Sequence, residues 1–567
     1  MASASMPVLA APSPWSTPHP SPPPTFTTPL LPFPPPEDVV PCVTRLTDIY
    51  SPEDITHQTA RWNALYARFR ALYDRPVTFV TRAPGRVNII GEHIDYSWFP
   101  VLPMALSQDV LVAVSVVLPN DPVDDSRIIL SNVQSTKYPT RVFNTQDFCD
   151  PYFDVPRNLD SGSEMDWSSY VLAGLKGALT FAKLLASHSK PLPTIRILVD
   201  GEIPPCAGLS ASSALVCSVL LAILAATTSG SIEKSLLVNS AVISERALGV
   251  NSGGMDQAAS VFGVRGHTLL VDFRPLVSAK PVRVLDTVPP LCFILANSLV
   301  VTPSRAITGP DRYNVRVVEA VLAAEVLARK YGVGRLEIRD GFGGTLRGFY
   351  DKVCEKEGWV MGDQAGEERA VQEVLRRIRE TFTKDRYTLE EVAEMLGQTK
   401  EHTIKKYMTR FPIRAHYLKL RDRSVHVIEE SFRVKCFSAL LSSSTNHLPN
   451  LGPVESERYF QALGDLMNAS HQSCTQLFEC SCPEVDELTA IARRYGASGS
   501  RITGTGWGGF TISIVRADMV QNVISGLKSD YYGRRFPGLK TEQLERAVIA
   551  IGPANGTVLA KIDAADL

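Results

Sequence analysis

Ile203-Pro-Pro-Cys-Ala-Gly-Leu-Ser-Ala-Ser-Ser-Ala-Leu-Val-Cys-Ser-Val-Leu-Leu-Ala-Ile-Leu-Ala-Ala226 is the stretch on which the reading of this chain turns. Pro204 and Pro205 give way to the small residues of Gly208–Ala214, and these to an apolar run with almost no polar interruption. The first backbone N–H groups of a helix have no intrahelical partner, and the helix dipole places partial positive charge there. A small-residue loop opening a helix therefore has two readings. One is an anion site, in which Gly208 permits close approach and the hydroxyls of Ser210, Ser212 and Ser213 add donors. The other is a plain entrance to a core helix. The neighbouring stretches decide between them.

Composition narrows the field. The chain has 567 residues, enough for two to four domains and a large core. Its 44% hydrophobic and 21% charged residues are those of an ordinary globular protein. A formal net charge of -1 gives no reason to expect nucleic acid or an anionic membrane as the main partner. The ten cysteines are scattered, with no zinc-site spacing and no secretory segment, which points to reduced thiols in the cytoplasm. The longest apolar run, Ala214 to Ala226, is too short to span a bilayer comfortably and reads as a buried helix.

Residues 1–36 contain 13 prolines and no Asp, Glu, Lys or Arg, the composition of a disordered or polyproline-like tail, taken to end near residue 40. A helix is expected from Glu53 to Tyr73, with Ser51 as cap and Pro52 in the first turn. Val77–Val80, Val110–Leu118, Thr194–Val199 and His267–Phe273 read as strands, and Ser168–Leu185 and Ile232–Leu248 as helices. This alternation is that of an α/β or α+β lobe over residues 41–290. A second lobe follows over 291–567, with a long helix from Tyr313 to Tyr331, a charge-rich helical insertion over about 336–450, and short strands near Val548 and Val558.

Three constellations carry chemistry. Arg86, Glu92, His93 and Asp95 crowd into ten residues. The carboxylates and imidazole suit vicinal sugar hydroxyls, and Arg86 suits a transferring phosphoryl group. The same cluster could equally be a solvated loop with local salt bridges. Asp256, in Gly253-Gly-Met-Asp-Gln257, could be a base placed against a substrate hydroxyl or simply a helix N-cap. Gly504 to Gly509 spells GxGxxG, but a strand-like run follows it where a dinucleotide fingerprint requires a helix. A tight glycine turn bringing backbone close to another loop is the better reading. No Gly-Lys-Ser/Thr occurs, so a Walker A loop is excluded.

Taken together, these stretches resemble the galactokinase family of the GHMP kinases, most closely its fungal members. Gly85-Arg-Val-Asn-Ile-Ile-Gly-Glu-His-Ile-Asp-Tyr96 is similar to the family's sugar signature, Pro205–Ala214 to its phosphate loop, and Thr503–Gly509 to its third motif. Trp167-Ser-Ser-Tyr170, Gly254–Gln257, Tyr313–Glu319 and Leu466–His471 match as well, so the resemblance covers roughly residues 45–565. It implies a two-lobed α+β fold, with a ribosomal-protein-S5-like N-terminal lobe, a ferredoxin-like C-terminal lobe and the active site in the cleft between them. It also implies phosphorylation of the C1 hydroxyl of galactose from ATP, with magnesium, at the first committed step of galactose catabolism. Arg86 and Asp256 match the catalytic pair, and both also touch the sugar, with Glu92, His93, Asp95, Gly253 and Tyr313. Trp167 matches a residue packing on adenine. Gly208, Leu209, Ser210, Ala211, Ser212, Ser213 and Ala214 form the nucleotide loop, and Ser212 aligns with a serine that meets magnesium. In that scheme Asp256 accepts the hydroxyl proton, while Arg86 keeps Asp256 ionised and steadies the γ-phosphate.

The chain departs from the family pattern at Ala211, which removes a hydroxyl that Ser213 would partly replace, at Thr505 and Phe510, and in its tail. Damage to the phosphate loop raises a second role: a galactose- and ATP-dependent sensor that engages a transcriptional repressor of galactose genes with weak or no catalysis. A kinase for N-acetylgalactosamine is the third reading.

Overall fold

The computed structural model describes residues 39–117, 125–145, 167–185, 193–205, 208–228, 231–249, 251–284, 286–300, 309–337, 343–359, 364–409, 411–443 and 452–567. The proline-rich tail, and Cys206 and Ala207 of the loop, lie outside the described residues.

In chain order the N-terminal lobe contains β1 (Cys42–Val43), α1 (Ile55–Tyr73), β2 (Phe79–Ile90), β3 (Leu102–Val117), β4 (Arg127–Asn132), β5 (Arg141–Asn144), α2 (Trp167–Leu185), β6 (Thr194–Gly201), α3 (Ala211–Thr227), α4 (Lys234–Ala247) and α5 (Met255–Phe262). A hairpin of β7 (His267–Asp272) and β8 (Ser278–Arg283) leads to β9 (Leu291–Asn297). The helical stretch is α6 (Tyr313–Tyr331), α7 (Leu346–Glu357), α8 (Gln364–Thr381), α9 (Leu389–Leu396), α10 (Lys400–Tyr407) and α11 (Leu420–Ser443). Then come α12 (Pro453–Gln476), α13 (Pro483–Arg494), β10 (Ala497–Thr503), β11 (Phe510–Arg516), α14 (Val520–Leu527), α15 (Thr541–Ala547), β12 (Val548–Ile551) and β13 (Val558–Ala560).

Seven strands form the first sheet, in the order β1-β13-β2-β3-β6-β4-β5. Side chains alternate across a strand, and β3 shows what that does here. Val110, Val112 and Val114 enter the main core with α2, α3 and α4, while Leu111 and Ala113 turn to the opposite face. There they meet Trp62, Leu65 and Phe69 of α1. Helix α3 is apolar all round because it is covered all round, by the sheet, α2 and α4. The second sheet is antiparallel, in the order β10-β11-β9-β12, with α12, α13 and α14 packed against it.

Several boundaries differ from expectation, among them β3, which begins at Leu102 rather than Val110. Helix α1 begins at Ile55 with Asp54 as N-cap, and Ser51 donates to Asp54 Oδ2 at 3.0 Å instead of capping the helix itself. Strand β2 does not stop at Val80 but continues to Ile90, buried at every position, so the first half of the sugar signature is strand. The last strand, β13, lies between β1 and β2, so the chain end returns to the first sheet rather than closing a lobe over 291–567.

Candidate active site

Arg86 projects from β2 and is fully buried. Its Nε donates to Asp256 Oδ1 at 2.7 Å, and its Nη2 lies 2.5 Å from the same oxygen. On the other side its Nη1 donates to the Gly208 carbonyl at 2.6 Å, and its backbone N–H to the Leu209 carbonyl at 3.2 Å. One guanidinium thus ties the small-residue loop to Asp256. The N-cap reading of Asp256 is corrected: Gly254, at φ 116°, caps α5, and Asp256 is its second residue. The solvated-loop reading of the acidic and basic cluster is corrected too, since Arg86, Glu92, His93 and Asp95 are all buried. Burying charges is tolerable only when they are paired, as Arg86 is with Asp256 and Glu92 with Arg501.

The loop enters α3 through Ser210, whose φ of 61° is left-handed and whose buried Oγ has no hydrogen-bond partner among the described residues. Ala211 is the first helical residue and Ala214 is fully buried behind it. The hydroxyls of Ser212 and Ser213 donate to Glu245 Oε1 and Oε2 at 2.8 and 2.9 Å, and Gln257 also bonds this carboxylate. Ser213 is therefore occupied with a buried carboxylate that needs donors, and it does not stand in for the hydroxyl missing at Ala211. Glu245, on α4, is a residue that sequence reasoning missed. Ahead of the loop, α2 runs alongside α3, with Gly174 against Val216 and Gly177 against Leu220. That parallel pairing puts half-buried Trp167, at the start of α2, at the same end as the loop. Its Nε1 is buried and without a partner among the described residues.

The GxGxxG segment joins β10 to β11, antiparallel neighbours, so it is a strand-to-strand turn and not a dinucleotide fingerprint. Gly504 has φ 90°, and a side chain there would come within 2.2 Å of the Gly208 carbonyl. The Thr503–Gly509 turn thus seats its backbone directly on the loop at Gly208, as a tight glycine turn should.

The remaining predicted residues gather beside Arg86. Asp95 Oδ2 accepts from the Met255 N–H at 3.4 Å, one residue before Asp256. A Cβ on Gly253 would fall 2.1 Å from that same oxygen, so only glycine lets this loop reach Asp95. His93, at φ 60°, packs its ring 5.5 Å from Tyr313, 4.9 Å from Phe478 and 5.8 Å from Trp507. Tyr313, the first residue of α6, meets Tyr96 edge-on at 5.7 Å. Glu92 Oε2 accepts from the Gly504 N–H at 3.0 Å and from Arg501 Nη2 at 3.2 Å. Burial raises the Glu92 pKa to about 6, and the cations Arg501 and Arg86 keep it from rising further.

Beneath this cluster lies a buried polar layer with no motif in the sequence. Glu430 of α11 accepts from the N–H groups of Gly91 and Glu92 at 2.9 and 3.2 Å and from the Ser470 hydroxyl at 2.6 Å. Although burial raises it, Arg433 and Arg501 bring the Glu430 pKa down to about 2. His426, one turn earlier on α11, bonds the Glu92 carbonyl at 3.0 Å and Ser473 Oγ at 2.8 Å. Helix α11 thus supports the Gly91–Glu92 backbone from behind.

His426 makes this support pH-dependent. Burial lowers its pKa to about 4, with Arg433 and Arg501 adding to the effect and Glu430 opposing it. The unfolded chain takes up a proton on this ring near pH 6.5, and the folded chain only near pH 4. The contribution to stability is therefore complete above pH 6.5 and is lost as pH falls toward 4. His426→Gln should remove about 2 kcal/mol of the stability difference between pH 7 and pH 5, read from urea unfolding of both proteins at both values. Equal pH dependence in the two would show that the ring does not titrate as described.

The galactokinase galactose-binding signature matches residues 67–116, the GHMP kinase N-terminal domain 175–264, and the GHMP kinase C-terminal domain 456–533. Galactokinase of Saccharomyces cerevisiae is 36% identical over 521 residues, 88% of this chain and 94% of that protein. Galactokinase of Candida parapsilosis is 34% identical over 527 residues, 92% of this chain and 98% of that one. Among solved structures, Lactococcus lactis galactokinase complexed with galactose shares the fold at a TM-score of 0.57 and 20% identity, over 88% of this chain and 99% of that chain. The chain belongs to the galactokinase family of the GHMP kinases.

Proposed function

We propose that this galactokinase carries out its reaction, transfer of a phosphoryl group from ATP to the C1 hydroxyl of galactose, at the Arg86–Asp256 pair. The observation that carries this reading is the double grip of Arg86, which holds Asp256 on one side and the Gly208 carbonyl on the other. The sugar would lie among Glu92, His93, Asp95, Gly253 and Tyr313, and the phosphates of ATP at the Gly208–Ala214 helix start, where the leading N–H groups of α3 are donors. Trp167 would meet the adenine. Asp256 accepts the proton of the C1 hydroxyl. The C1 oxygen bonds to the γ-phosphorus as the bond to the ADP oxygen breaks, and Arg86 offsets the charge on the moving group. The donor set near the loop fits a hard divalent cation: Ser212 Oγ and the Glu245 carboxylate would hold Mg2+, which when bound neutralises phosphate charge.

The sensor and N-acetylgalactosamine readings are not favoured, since the relatives matched over nearly the full chain are galactokinases. Purified protein should release ADP from ATP with galactose present, and turnover with N-acetylgalactosamine, mevalonate or homoserine should be at least 100-fold lower in kcat/KM. Saturable binding of ATP and galactose without turnover would select the sensor instead.

A further inference from the structure

Asn88 lies two residues beyond Arg86 on β2, with its side chain fully buried. Among the described residues neither its Nδ2 nor its Oδ1 has a hydrogen-bond partner. Buried amides are nearly always bonded, and leaving both ends of one unmade opposes folding. A valine or leucine would fill the position without that penalty, so the carboxamide calls for a reason outside the resting fold.

Its surroundings supply one. The pairing of β2 with β3 is unbroken from Arg86↔Ala105 through Asn88↔Pro103, so Arg86 and Asn88 project from the same face of the strand. The Asn88 backbone is clamped from the second lobe. Its N–H donates to Thr503 Oγ1 at 3.0 Å, and its carbonyl accepts from that hydroxyl at 2.9 Å and from Arg501 Nη1 at 3.1 Å. Thr503 immediately precedes Gly504, which rests on the Gly208 backbone that Arg86 also holds. Asn88 is thus flanked by two groups that converge on Gly208. Among the described residues both polar atoms of its side chain have no bond assigned, and a phosphoryl oxygen is an acceptor that an amide N–H can satisfy.

We infer that Asn88 is a substrate-contacting residue that donates a hydrogen bond from its carboxamide to the phosphoryl group being transferred. The amide can turn its nitrogen to either side, because neither end is held. The inference rests on the reading of Arg86–Asp256 as the transfer site.

The test uses full-length Asn88→Leu, with Asn88→Val as a smaller variant that likewise carries no donor should the leucine not be accommodated, and measures thermal unfolding, kcat, both KM values, and galactose binding without nucleotide. The expected result is an unfolding midpoint no lower than that of the unaltered protein. Alongside it, kcat/KM for ATP should fall at least tenfold, mostly in kcat, with galactose affinity changed less than threefold. Wild-type kinetics in the variant that folds would overturn the inference. So would a loss of galactose affinity with ATP kinetics intact, or activity lost only in step with stability. Asp256→Asn in the same assay separates the two levels. If it stays active, the transfer site itself is misplaced; if it is inactive while Asn88→Leu is fully active, only the role of Asn88 fails.

Discussion

Asp256→Asn should lower kcat by two to four orders of magnitude while leaving galactose and ATP binding within about tenfold, because a positioned general base contributes about 10²–10⁴ to rate. The substitution keeps the shape of the side chain and its reach to Arg86, but the amide cannot accept the C1 proton. A helix cap would behave differently. Loss of a cap costs about 0.5–2 kcal/mol of stability and has no direct claim on kcat. The structure separates these two roles, since Gly254 holds the cap position and Asp256 faces a buried guanidinium at 2.7 Å. Removing one partner of a buried pair leaves the other uncompensated, so the variant should also lose about 3 kcal/mol of stability. Activity is therefore to be compared at a temperature where circular dichroism shows both proteins folded. Turnover within threefold of the unaltered enzyme under those conditions would remove Asp256 from the mechanism.

The chemistry that could be read from sequence is the chemistry that is local. Arg86, Glu92, His93 and Asp95 stand within ten residues, and Asp256 is marked by its two glycines. What local patterns do not carry is whatever depends on a partner far along the chain. The Arg86–Asp256 contact spans 170 residues and is legible only through the family resemblance, while the Gly91–Glu430 contact spans 339 with nothing in either local pattern to announce it. Glu430 and His426 sit in a charge-rich helical stretch where surface ion pairs are the default reading, yet both are fully buried. Glu245 was hidden for a related reason: α4 is an ordinary amphipathic helix, and only the packing of α3 and α5 against it brings Ser212, Ser213 and Gln257 to its carboxylate. The apolar alternation that signals a strand ends at Val80, because Thr81, Arg82, Arg86 and Asn88 break it, although β2 continues to Ile90. Each of those polar residues is paid for by a contact made elsewhere, such as Arg82 with Asp109 or Thr81 with Ser218, except at the Asn88 side chain.

Arg501→Met should be the most destabilising single change at the site, because Arg501 joins the two lobes behind the sugar signature. It is fully buried on β10 and donates to the carbonyls of Asn88 and Ile89 at 3.1 and 3.3 Å, to Glu92 Oε2 at 3.2 Å and to Ser470 Oγ at 3.0 Å. Methionine fills much of the volume but satisfies none of these acceptors. Glu92 then loses its nearest cation in a site where burial already lifts its pKa to about 6, and Glu430 loses one of the charges that hold it ionised. Breaking a buried pair from one side costs about 3–5 kcal/mol, and urea unfolding at pH 7 should show a loss of that size. Removing both partners should cost less than the sum of the single changes, so Arg501→Met combined with Glu92→Gln should recover part of the deficit. Strict additivity would mean that Arg501 acts through the carbonyls alone. The kinetic consequence is directional as well. Arg501 contacts the carboxylate assigned to the sugar and makes none of the bonds holding Ser212, Ser213 and Glu245, and its hold on the Asn88 backbone bears on kcat rather than on ATP binding. KM for galactose should therefore rise by about tenfold or more, with KM for ATP moving by less than threefold. An equal rise in both would indicate a general loosening of the cleft and would contradict a brace specific to the sugar side.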